Sequence, residues 1–396
     1  MTAIVERGQV SLPTSWFGVV SLAIGSFALV TSEFLPVGLL PAIATSLGIT
    51  TGQAGLMVTM PGLVAAASAP LTIAFAGGMD RKKLLISLLI LLLASNILAA
   101  TATGVTQLLF GGFLLGLAVG SFWTIAGSLG PRLRSGAEGV RANAVILSGI
   151  SFGTVAGVPA GALIGDMFDW RVSFWTGAVL SVVAVVSVAA LLPLLPSQNK
   201  RGIAGFPLVL SKPKARIGLL AVLAIFLAQF ASYTFITPFL NERSGVTGPL
   251  LSSVLLANGV AGFFGNMLGG WIAGKQVNAA VIGASSLIGG SAVLLLFFGS
   301  NHCAAIMLVV AWGLGFGMLP IGMQSLLQSA AGDSLEDMQA LFVTVGQIAI
   351  GAGALVGGLI VDHAGLSGAM LFSGIGAAIT IALMLLPAAT SKTFAG

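Results

Sequence analysis

The sequence predicts an all-α polytopic membrane protein, with twelve transmembrane helices in two pseudo-symmetric six-helix bundles. Three observations predict this fold class. Of the 396 residues, 57% are hydrophobic and 7% are charged, whereas soluble domains carry roughly 25% charged residues. The apolar residues fall into twelve segments, and a spanning helix needs about 20 such residues. A basic linker divides these segments into two sets of six, and short motifs recur in both sets.

The segments follow one another with short connections, except at the linker. The 55 glycines also favour membrane helices, because small residues let such helices approach closely. The first set covers residues 15–43, 51–78, 84–103, 106–130, 142–165 and 172–194, and the second covers 216–240, 248–274, 278–299, 303–329, 339–361 and 366–389. We therefore predict an N-terminal bundle at 1–194, a cytoplasmic linker at 195–215 and a C-terminal bundle at 216–396.

Basic residues are distributed unequally between the two sides that these segments define. Of the 16 basic residues, 14 lie on the side of the termini and the linker. Because cytoplasmic loops collect Lys and Arg, both termini are predicted to be cytoplasmic in a multi-pass protein of the inner (cytoplasmic) membrane. The first side carries Arg7, Arg81, Lys82, Lys83, Arg132, Arg134, Arg141, Lys200, Arg201, Lys212, Lys214, Arg216, Lys275 and Lys392, and the other carries Arg171 and Arg243.

Several classes of protein are excluded by the residues that the sequence lacks. The single cysteine, Cys303, rules out an intramolecular disulfide, and the distant His302 and His363 do not suggest a metal site. No Gly-rich loop with Lys-Ser/Thr indicates ATP binding, and no histidine and aspartate complete a serine triad. The basic residues lie in short loops and form no patch. We expect no enzyme activity, no cofactor, no metal and no nucleic-acid partner.

Two motifs suggest that the halves of the chain are related. The segment "GVPAGALIGD", ending at Asp166, resembles "GAGALVGGLIVD", which ends at Asp362, 196 residues later. The segment "TSEFLP" at Thr31 weakly resembles "SYTFITP" at Ser232. Transporters built from two related bundles bind substrate near the midplane and alternate its access. The repeats predict transport of a small molecule across a lipid bilayer.

Glu33 is an ionisable residue well inside the first apolar segment. Counted from Trp16 at about 1.5 Å per residue, it lies about 25 Å into the helix, in the outer part of the bilayer. An intramembrane carboxylate is costly, and a functional role is the default hypothesis. We predict that Glu33 faces a central cavity and couples proton movement to substrate movement. The alternative is a structural carboxyl that is satisfied locally or reaches the outer interface.

Polar and aromatic side chains on the apolar segments are candidates for a substrate cavity. Hydroxyls and amides both donate and accept hydrogen bonds, and Trp or Tyr can stack on a ring, which suits sugars, nucleosides or drug-like compounds. Each could instead form an interhelical hydrogen bond, worth about 0.6–2 kcal/mol. The candidates are Thr31, Ser32, Trp123, Thr124, Ser128, Gln229, Tyr233, Asn258, Asn266, Gln324, Gln328 and Gln347.

Glycines recur every four residues in the fifth segment, from Gly149 to Gly165. This spacing places them on one slowly rotating stripe of a helix. Such a stripe lets another helix pack closely, and a proline can bend it. We predict a hinge or seal between the two bundles, with ordinary packing as the alternative. Its gating residues would be Gly153, Gly157, Pro159 and Gly161.

Several of these motifs resemble the major facilitator superfamily. The segment "GTVAGVPAGALIG" is similar to its fifth-helix antiporter motif, and "AGGMDRKK" to its signature after the second helix. The segments "TSEFLPVGLLPAIATSLGIT" and "GDMFDWRVSFW" resemble the twelve-helix drug:proton antiporter branch, especially the sugar-efflux, arabinose-efflux-like and chloramphenicol-resistance exporters. The resemblance covers essentially the whole chain. It implies proton-coupled efflux by antiport with alternating access, in drug resistance or sugar transport, by a monomer.

The same resemblance implies a cytoplasmic gate formed by Asp80, Arg81 and Arg141. Asp80 would contact the N-terminus of a facing helix, or Arg141, when that side is closed. Two positions depart from the family pattern. The second-helix signature is shortened and opens with Ala76, and Gly112 stands where relatives usually have an arginine that is implicated in proton coupling.

Export by proton antiport is the favoured hypothesis. Because Gly112 replaces the coupling arginine, a facilitator or a proton-coupled importer of a small polar solute is the alternative. A membrane-embedded enzyme would need a cluster of ionisable groups at one depth, and a sensor would need a soluble output domain. The sequence shows neither of these features.

Overall fold

The computed structural model describes residues 16–75, 78–126, 129–134, 137–196, 206–331 and 335–386, and every regular element in these ranges is a helix. The first half contains α1 (Trp16–Leu47), α2 (Thr51–Phe75), α3 (Arg81–Ala100), α4 (Val105–Ala126), α5 (Gly130–Leu133), α6 (Ala137–Phe152), a π-helix (Gly153–Gly157), α7 (Val158–Met167) and α8 (Trp170–Leu191). The second half contains α9 (Phe206–Ser211), α10 (Pro213–Tyr233), α11 (Ile236–Ser244), α12 (Gly248–Ala273), α13 (Val277–Phe298), α14 (His302–Ala331) and α15 (Leu335–Leu385).

These helices provide twelve passes across a membrane. Within the described ranges, 11 helical stretches are long and apolar enough to span a bilayer, and the last, Leu341–Leu385, has 45 residues. Gly365 divides that stretch in two, because its φ of 74° and ψ of 174° are not helical and favour glycine. The α-helical fold with twelve passes predicted from the sequence is confirmed.

The fifth pass contains a π-helix just before Pro159. Proline lacks a backbone N–H, and its ring crowds the carbonyl four residues earlier, here that of Val155. A π-turn accommodates this disruption of the helical hydrogen-bond ladder. The predicted linker at 195–215 is partly helical, because α9 lies within it and α10 begins at Pro213.

Helices pack mainly on helices of the same half. In the first half, α1 lies against α6 and α8, α2 against α4, and α3 against α4 and α8. In the second half, α10 lies against α15, α12 against α14, and α13 against α14 and α15. Buried apolar side chains fill each half, for example Leu89 and Phe122 in the first and Trp312 and Leu319 in the second.

Close helix contacts recur with an offset of 196 residues. This offset agrees with the repeat that ends at Asp166 and Asp362. It corrects the weaker match of Thr31 with Ser232, which are 201 residues apart. The offset instead relates Glu33 to a glutamine of α10. The related contacts are Gly157–Thr31 with Gly353–Leu227, and Gly161–Leu35 with Gly357–Ala231.

The two halves meet between mid-helix and one end of the bundle, which we call the closed end. It carries the connections 48–50, 101–104, 245–247 and 299–301, and the opposite, basic end carries 78–80 and α5. A Cβ added to Gly62 would lie 2.6 Å from the backbone nitrogen of Gly351 in the other half. A Cβ added to Gly259 would lie 2.7 Å from the Cα of Val155. These contacts bring α2 against α15, and the π-helix against α12.

Candidate functional site

Glu33 is buried near the middle of α1. It follows Trp16 by 17 residues and precedes Leu47 by 14, because α1 continues beyond its predicted end at residue 43. The residue is 5% exposed. Glu33 therefore lies at mid-helix, and its side chain is enclosed by protein and does not reach the surface.

Gln347 approaches Glu33 from the other half of the molecule. Its side-chain amide, on α15, lies beside the Glu33 carboxyl and interacts with it. Gln347 is 8% exposed, and among the described residues its Oε1 has no partner. An ionised carboxylate only accepts hydrogen bonds, so the amide turns Nε2 toward it. The contact joins the halves and leaves Oε1 as a buried acceptor.

Gln229 on α10 occupies the position related to Glu33, 196 residues later. It is fully buried, and its Oε1 accepts a hydrogen bond from Trp312 Nε1 at 2.7 Å. An indole N–H can only donate, which fixes the orientation of the amide. The Nε2 of Gln229 has no partner within the described part of the chain. This amide therefore presents a buried donor.

An aromatic cluster of Phe34, Phe230, Tyr233, Trp312 and Phe316 adjoins these polar groups. Phe34 stacks on Phe230 with ring centroids 5.8 Å apart and planes 17° apart. Tyr233 stacks on Phe316 at 5.8 Å and 23°, and meets Trp312 edge-on at 6.3 Å. Phe230 and Phe316 also meet edge-on, at 6.0 Å, which joins the two stacked pairs.

Four members of this cluster are not among the cavity candidates predicted from the sequence. Phe34, Phe230, Trp312 and Phe316 lie in apolar segments, where an aromatic residue gives no distinguishing signal. The 196-residue offset relates Phe34 to Phe230 and could have identified this pair. No comparable signal in the sequence indicates Trp312 or Phe316.

This arrangement offers hydrogen bonding, stacking and proton exchange. Gln347 accepts through Oε1, Gln229 donates through Nε2, and Glu33 accepts or donates according to its protonation. The half-buried rings of Phe34, Tyr233 and Phe316 offer surface to a flat ring, since offset-stacked and edge-on contacts are favourable. Phe230 and Trp312 are themselves buried. Among the described residues, no three His, Cys, Asp or Glu side chains form a group that could hold a metal ion.

Only some of the predicted cavity candidates lie at this site. Gln229, Tyr233 and Gln347 lie at the aromatic cluster or beside Glu33. The neighbours of Glu33 on α1 instead face their own half, because successive helical residues point about 100° apart. Thr31 contacts Gly157 of the π-helix, and Ser32 accepts a hydrogen bond from Asn96 on α3 at 2.9 Å. The structure gives Thr31 and Ser32 packing contacts within the first half.

The two candidates on α4 are half-buried and make contacts within their own helix. Thr124 donates a hydrogen bond to the carbonyl of Gly120 at 2.7 Å. Trp123 meets Phe122 edge-on, with centroids 5.4 Å apart. These contacts do not connect either side chain to Glu33.

The remaining candidates lie away from the cluster or outside the described residues. Asn258 donates to the carbonyl of Val309 at 2.8 Å and so ties α12 to α14. Asn266 and Gln328 are exposed. Gln324 hydrogen-bonds another glutamine at 3.3 Å near the basic end. Ser128 lies outside the residues that the structure describes.

The glycine stripe of the fifth pass faces α1 of its own half, which corrects the predicted seal between bundles. From Gly149 to Gly165, each glycine of the stripe contacts a residue of α1. The second half is reached through Thr154 and Val155, which contact Gly259. Glycine spacing indicates a close helix contact, but it does not specify which neighbour makes that contact.

The predicted gate residues lie at the basic end. Asp80 caps its own helix, because its Oδ1 accepts from two backbone N–H groups of α3 at 2.9 and 3.2 Å. Asp80 and Arg81 act electrostatically on Arg132 in α5, and burial is the main cause that lowers the pKa of Arg132. Arg141 is exposed on α6, and no salt bridge within the described ranges joins it to Asp80. In this conformation Asp80 neighbours Arg132 and not the predicted Arg141.

Gly112, where relatives of the resembled family usually have arginine, lies at a helix contact. A Cβ at Gly112 would be 3.3 Å from the Cδ of Pro61, and a Cβ at Gly116 would be 2.6 Å from the carbonyl oxygen of Pro61. These glycines bring α4 against α2. The position therefore serves helix packing in this chain.

The chain is similar to known membrane transporters over most of its length. Residues 22–354 match the family model of the Major Facilitator Superfamily. The purine ribonucleoside efflux pump NepI of Salmonella paratyphi A is 34% identical over 360 residues, which cover 91% of each chain. A bacterial homologue of the human lysosomal transporter Spinster, solved in an inward-facing, unoccupied conformation, superposes with a TM-score of 0.77 at 16% identity, over 94% of this chain and 96% of that one. A mutant of the nucleoside transporter NupG gives 0.75 at 14% identity, over 92% and 97%.

Proposed function

The chain belongs to the Major Facilitator Superfamily and is a multi-pass membrane transporter, not an enzyme, and on this premise we propose that it exports a purine-nucleoside-like solute in exchange for protons. The observation that carries the proposal is the buried Glu33 carboxyl, which meets Gln347 of the other half at mid-helix. A carboxyl at this depth is the group expected to bind a transported proton. Its contact with the other half gives it a role in the movement of the halves.

The substrate class is argued from the aromatic cluster and the two buried amides. A purine offers a flat ring for stacking and both donors and acceptors on its edge. The unpartnered Nε2 of Gln229 and Oε1 of Gln347 supply one donor and one acceptor. A sugar without a base would use the aromatic surface less fully. The similarity to pumps named for purine ribonucleosides supports the same choice.

Proton coupling follows from the cost of a charge between the halves. A neutral Glu33 can stay buried beside Gln347 while the halves rearrange without solute, whereas an ionised carboxylate there is costly unless the bound solute donates a hydrogen bond to it. In the proposed cycle, Glu33 takes a proton when the external side is accessible and the solute leaves. It releases the proton on the internal side, where the solute enters. One proton carrier thus links the two opposite fluxes.

The orientation and assembly of the transporter complete the proposal. The loops of the basic end collect most of the basic residues, so we place this end and both termini in the cytoplasm of an inner-membrane protein. The closed end is then external, and the conformation described here is closed to the outside. A single chain contains both halves and the proposed site, which supports function as a monomer.

A facilitator or a proton-coupled importer is the second candidate. It is favoured by Gly112, because a packing glycine leaves α4 without the ionisable group that the family pattern places there. Coupling would then rest on Glu33 alone. The direction of net flux would follow the solute gradient in a facilitator, and the proton gradient in either coupled transporter.

The test is flux in proteoliposomes that contain a pH-sensitive dye, with inosine as the purine ribonucleoside and uridine as the pyrimidine control. In the wild-type protein, added inosine is expected to cause proton movement across the membrane in the direction opposite to that of inosine. Glu33→Gln is expected to abolish inosine transport driven by a pH gradient while it retains exchange of labelled inosine. Glu242→Gln, which removes an exposed carboxylate, is the matched control and should behave as wild type.

Three outcomes would contradict parts of the proposal. Gradient-driven transport that persists in Glu33→Gln would remove Glu33 from proton coupling. Inosine flux without proton movement in wild type would identify a facilitator. Equal flux of inosine and uridine would overturn the purine assignment, although proton antiport would stand.

A further inference from the structure

The start of α2, at the closed end, carries a reciprocal cap. The Oγ1 of Thr50 accepts a hydrogen bond from the N–H of Gln53 at 3.0 Å. In return, Oε1 of Gln53 accepts from the N–H of Thr50 at 3.0 Å. Such a capping box satisfies two backbone donors at the first turn of a helix. The N–H of Gly52 belongs to the same turn and needs another acceptor.

Asp362 of the second half supplies that acceptor. Its Oδ1 accepts from the N–H of Gly52 at 3.1 Å, and its Oδ2 accepts from the hydroxyl of Thr50 at 2.8 Å. The carboxylate also lies at the partially positive end of the helix. A helix of one half therefore has its first turn capped by a side chain of the other half.

We propose that Asp362 is a positioning residue that holds the closed end shut by capping α2 across the boundary between the halves. The inference rests on the proposed alternation of access. Both hydrogen bonds join the two halves, so they exist only while the halves touch at this end. Opening the closed end must break both bonds and leave the first turn of α2 with its capping box alone.

The related corner of the molecule lacks this device. Asp166 and Gly248 are the residues related to Asp362 and Gly52, since each pair is 196 residues apart. The Oδ2 of Asp166 would lie 3.4 Å from a Cβ on Gly248, yet the start of α12 has no side-chain cap. The residues in place of Thr50 and Gln53 are Val246 and Pro249, which offer no hydroxyl and no amide. Asp166 therefore provides a matched control.

The test measures opening of the closed end directly, without a substrate. The native Cys303 is exposed at the start of α14, and Thr103 is exposed between α3 and α4 in the other half. Spin labels on Cys303 and on Thr103→Cys report the distance across the closed end by double electron–electron resonance. Asp362→Ala in this background is expected to raise the long-distance population about fivefold, the size of a typical lost helix cap. Asp166→Ala is expected to leave the distribution as in the parent.

Thr50→Val provides a second, smaller perturbation from the other side of the same bond. It removes the hydroxyl that donates to Asp362 and that also accepts from the N–H of Gln53. It should shift the distribution in the same direction, even where Asp362→Ala proves too unstable to purify. An unchanged distribution in Asp362→Ala or Thr50→Val would overturn the proposal. Equal shifts in Asp362→Ala and Asp166→Ala would also overturn it. The distance measurement needs neither inosine nor a pH gradient. Its result therefore does not depend on whether the proposed export of purine nucleosides is correct.

Discussion

The two halves of the molecule place different side chains at the same central position. Glu33 in the first half contacts Gln347 of the second, whereas the related Gln229 is held by Trp312 of its own half at 2.7 Å. The position related to Trp312 is Gly116, which is a packing glycine on α4. The first half thus has an ionisable group with a partner across the boundary, and the second has a neutral amide fixed from within. The difference suggests that one half carries the proton and the other orients the solute.

The largest effect is expected when the carboxyl is moved from one half to the other. In the double variant Glu33→Gln with Gln229→Glu, the amide and the carboxyl exchange places. The new carboxyl would meet the indole N–H of Trp312 and not Gln347, so we expect loss of inosine-driven proton movement. The measurement is dye response in proteoliposomes, with Glu33→Gln alone for comparison. Restored coupling in the double variant would show that the two positions are interchangeable.

A large effect is also expected at the two places where a glycine of the second half packs against the backbone of the first half. Gly351→Leu would insert a side chain against the backbone of Leu63, and Gly259→Leu against that of Val155. Each should prevent the closed end from closing and lower transport more than tenfold, since backbone contacts cannot yield as a flexible side chain can. Inosine uptake is the measurement. Gly290→Leu, at a position with open space around it, is the control and should retain activity.

Unequal effects of Gly351→Leu and Gly259→Leu would show which of the two contacts between the halves is required for transport. Full activity in Gly259→Leu would mean that only the contact of α2 with α15 must close. Full activity in both variants would contradict the contacts described between the halves.

A moderate effect is expected from release of the fixed amide. Trp312→Phe removes the indole N–H and leaves the Oε1 of Gln229 without its donor in a buried place. We expect the KM for inosine to rise roughly fivefold, as for the loss of about 1 kcal/mol of hydrogen bonding. Proton coupling per transported inosine should not change, because Glu33 is untouched. A change in this ratio with an unchanged KM would reverse the roles assigned to the two halves.

The smallest effect is expected at the start of α12. Thr247 precedes this helix, is exposed, and forms no side-chain cap. Thr247→Val should therefore change the distance distribution across the closed end less than twofold, an effect below that of a typical cap. A shift as large as that of Thr50→Val would show that the two corners of the closed end are held in the same way.

The passes across the membrane could be predicted from the sequence because each needs only a long apolar run. Glu33 could be predicted as well, because a carboxylate in such a run is conspicuous. The side chains that surround Glu33 could not be predicted from the sequence. Thr31 and Ser32 are as polar as cavity residues, yet the helical turn directs them into their own half. Among amides in apolar helices, nothing in the sequence separates Gln347 at the centre from Gln328 at the basic end.

Two further predictions meet the same physical limit. The stripe from Gly149 to Gly165 correctly indicates a close helix contact, but α1 and α12 are both available neighbours, and the pattern does not choose. Asp80 suggests a charged gate, but a carboxylate that precedes a helix also satisfies the backbone of that helix. Local pattern thus determines which contacts a helix can make, and the three-dimensional arrangement determines which it does make.

The stack of Phe34 on Phe230 has a mechanical consequence. Each ring is the counterpart of the other under the relation between the halves, so the pair lies on the axis of that relation. A body that rocks about its centre moves least there and most at its ends. Two flat rings can slide and tilt on each other while their faces stay in contact. The phenyl pair is therefore suited to act as a low-friction pivot, about which the closed end opens while the basic end closes.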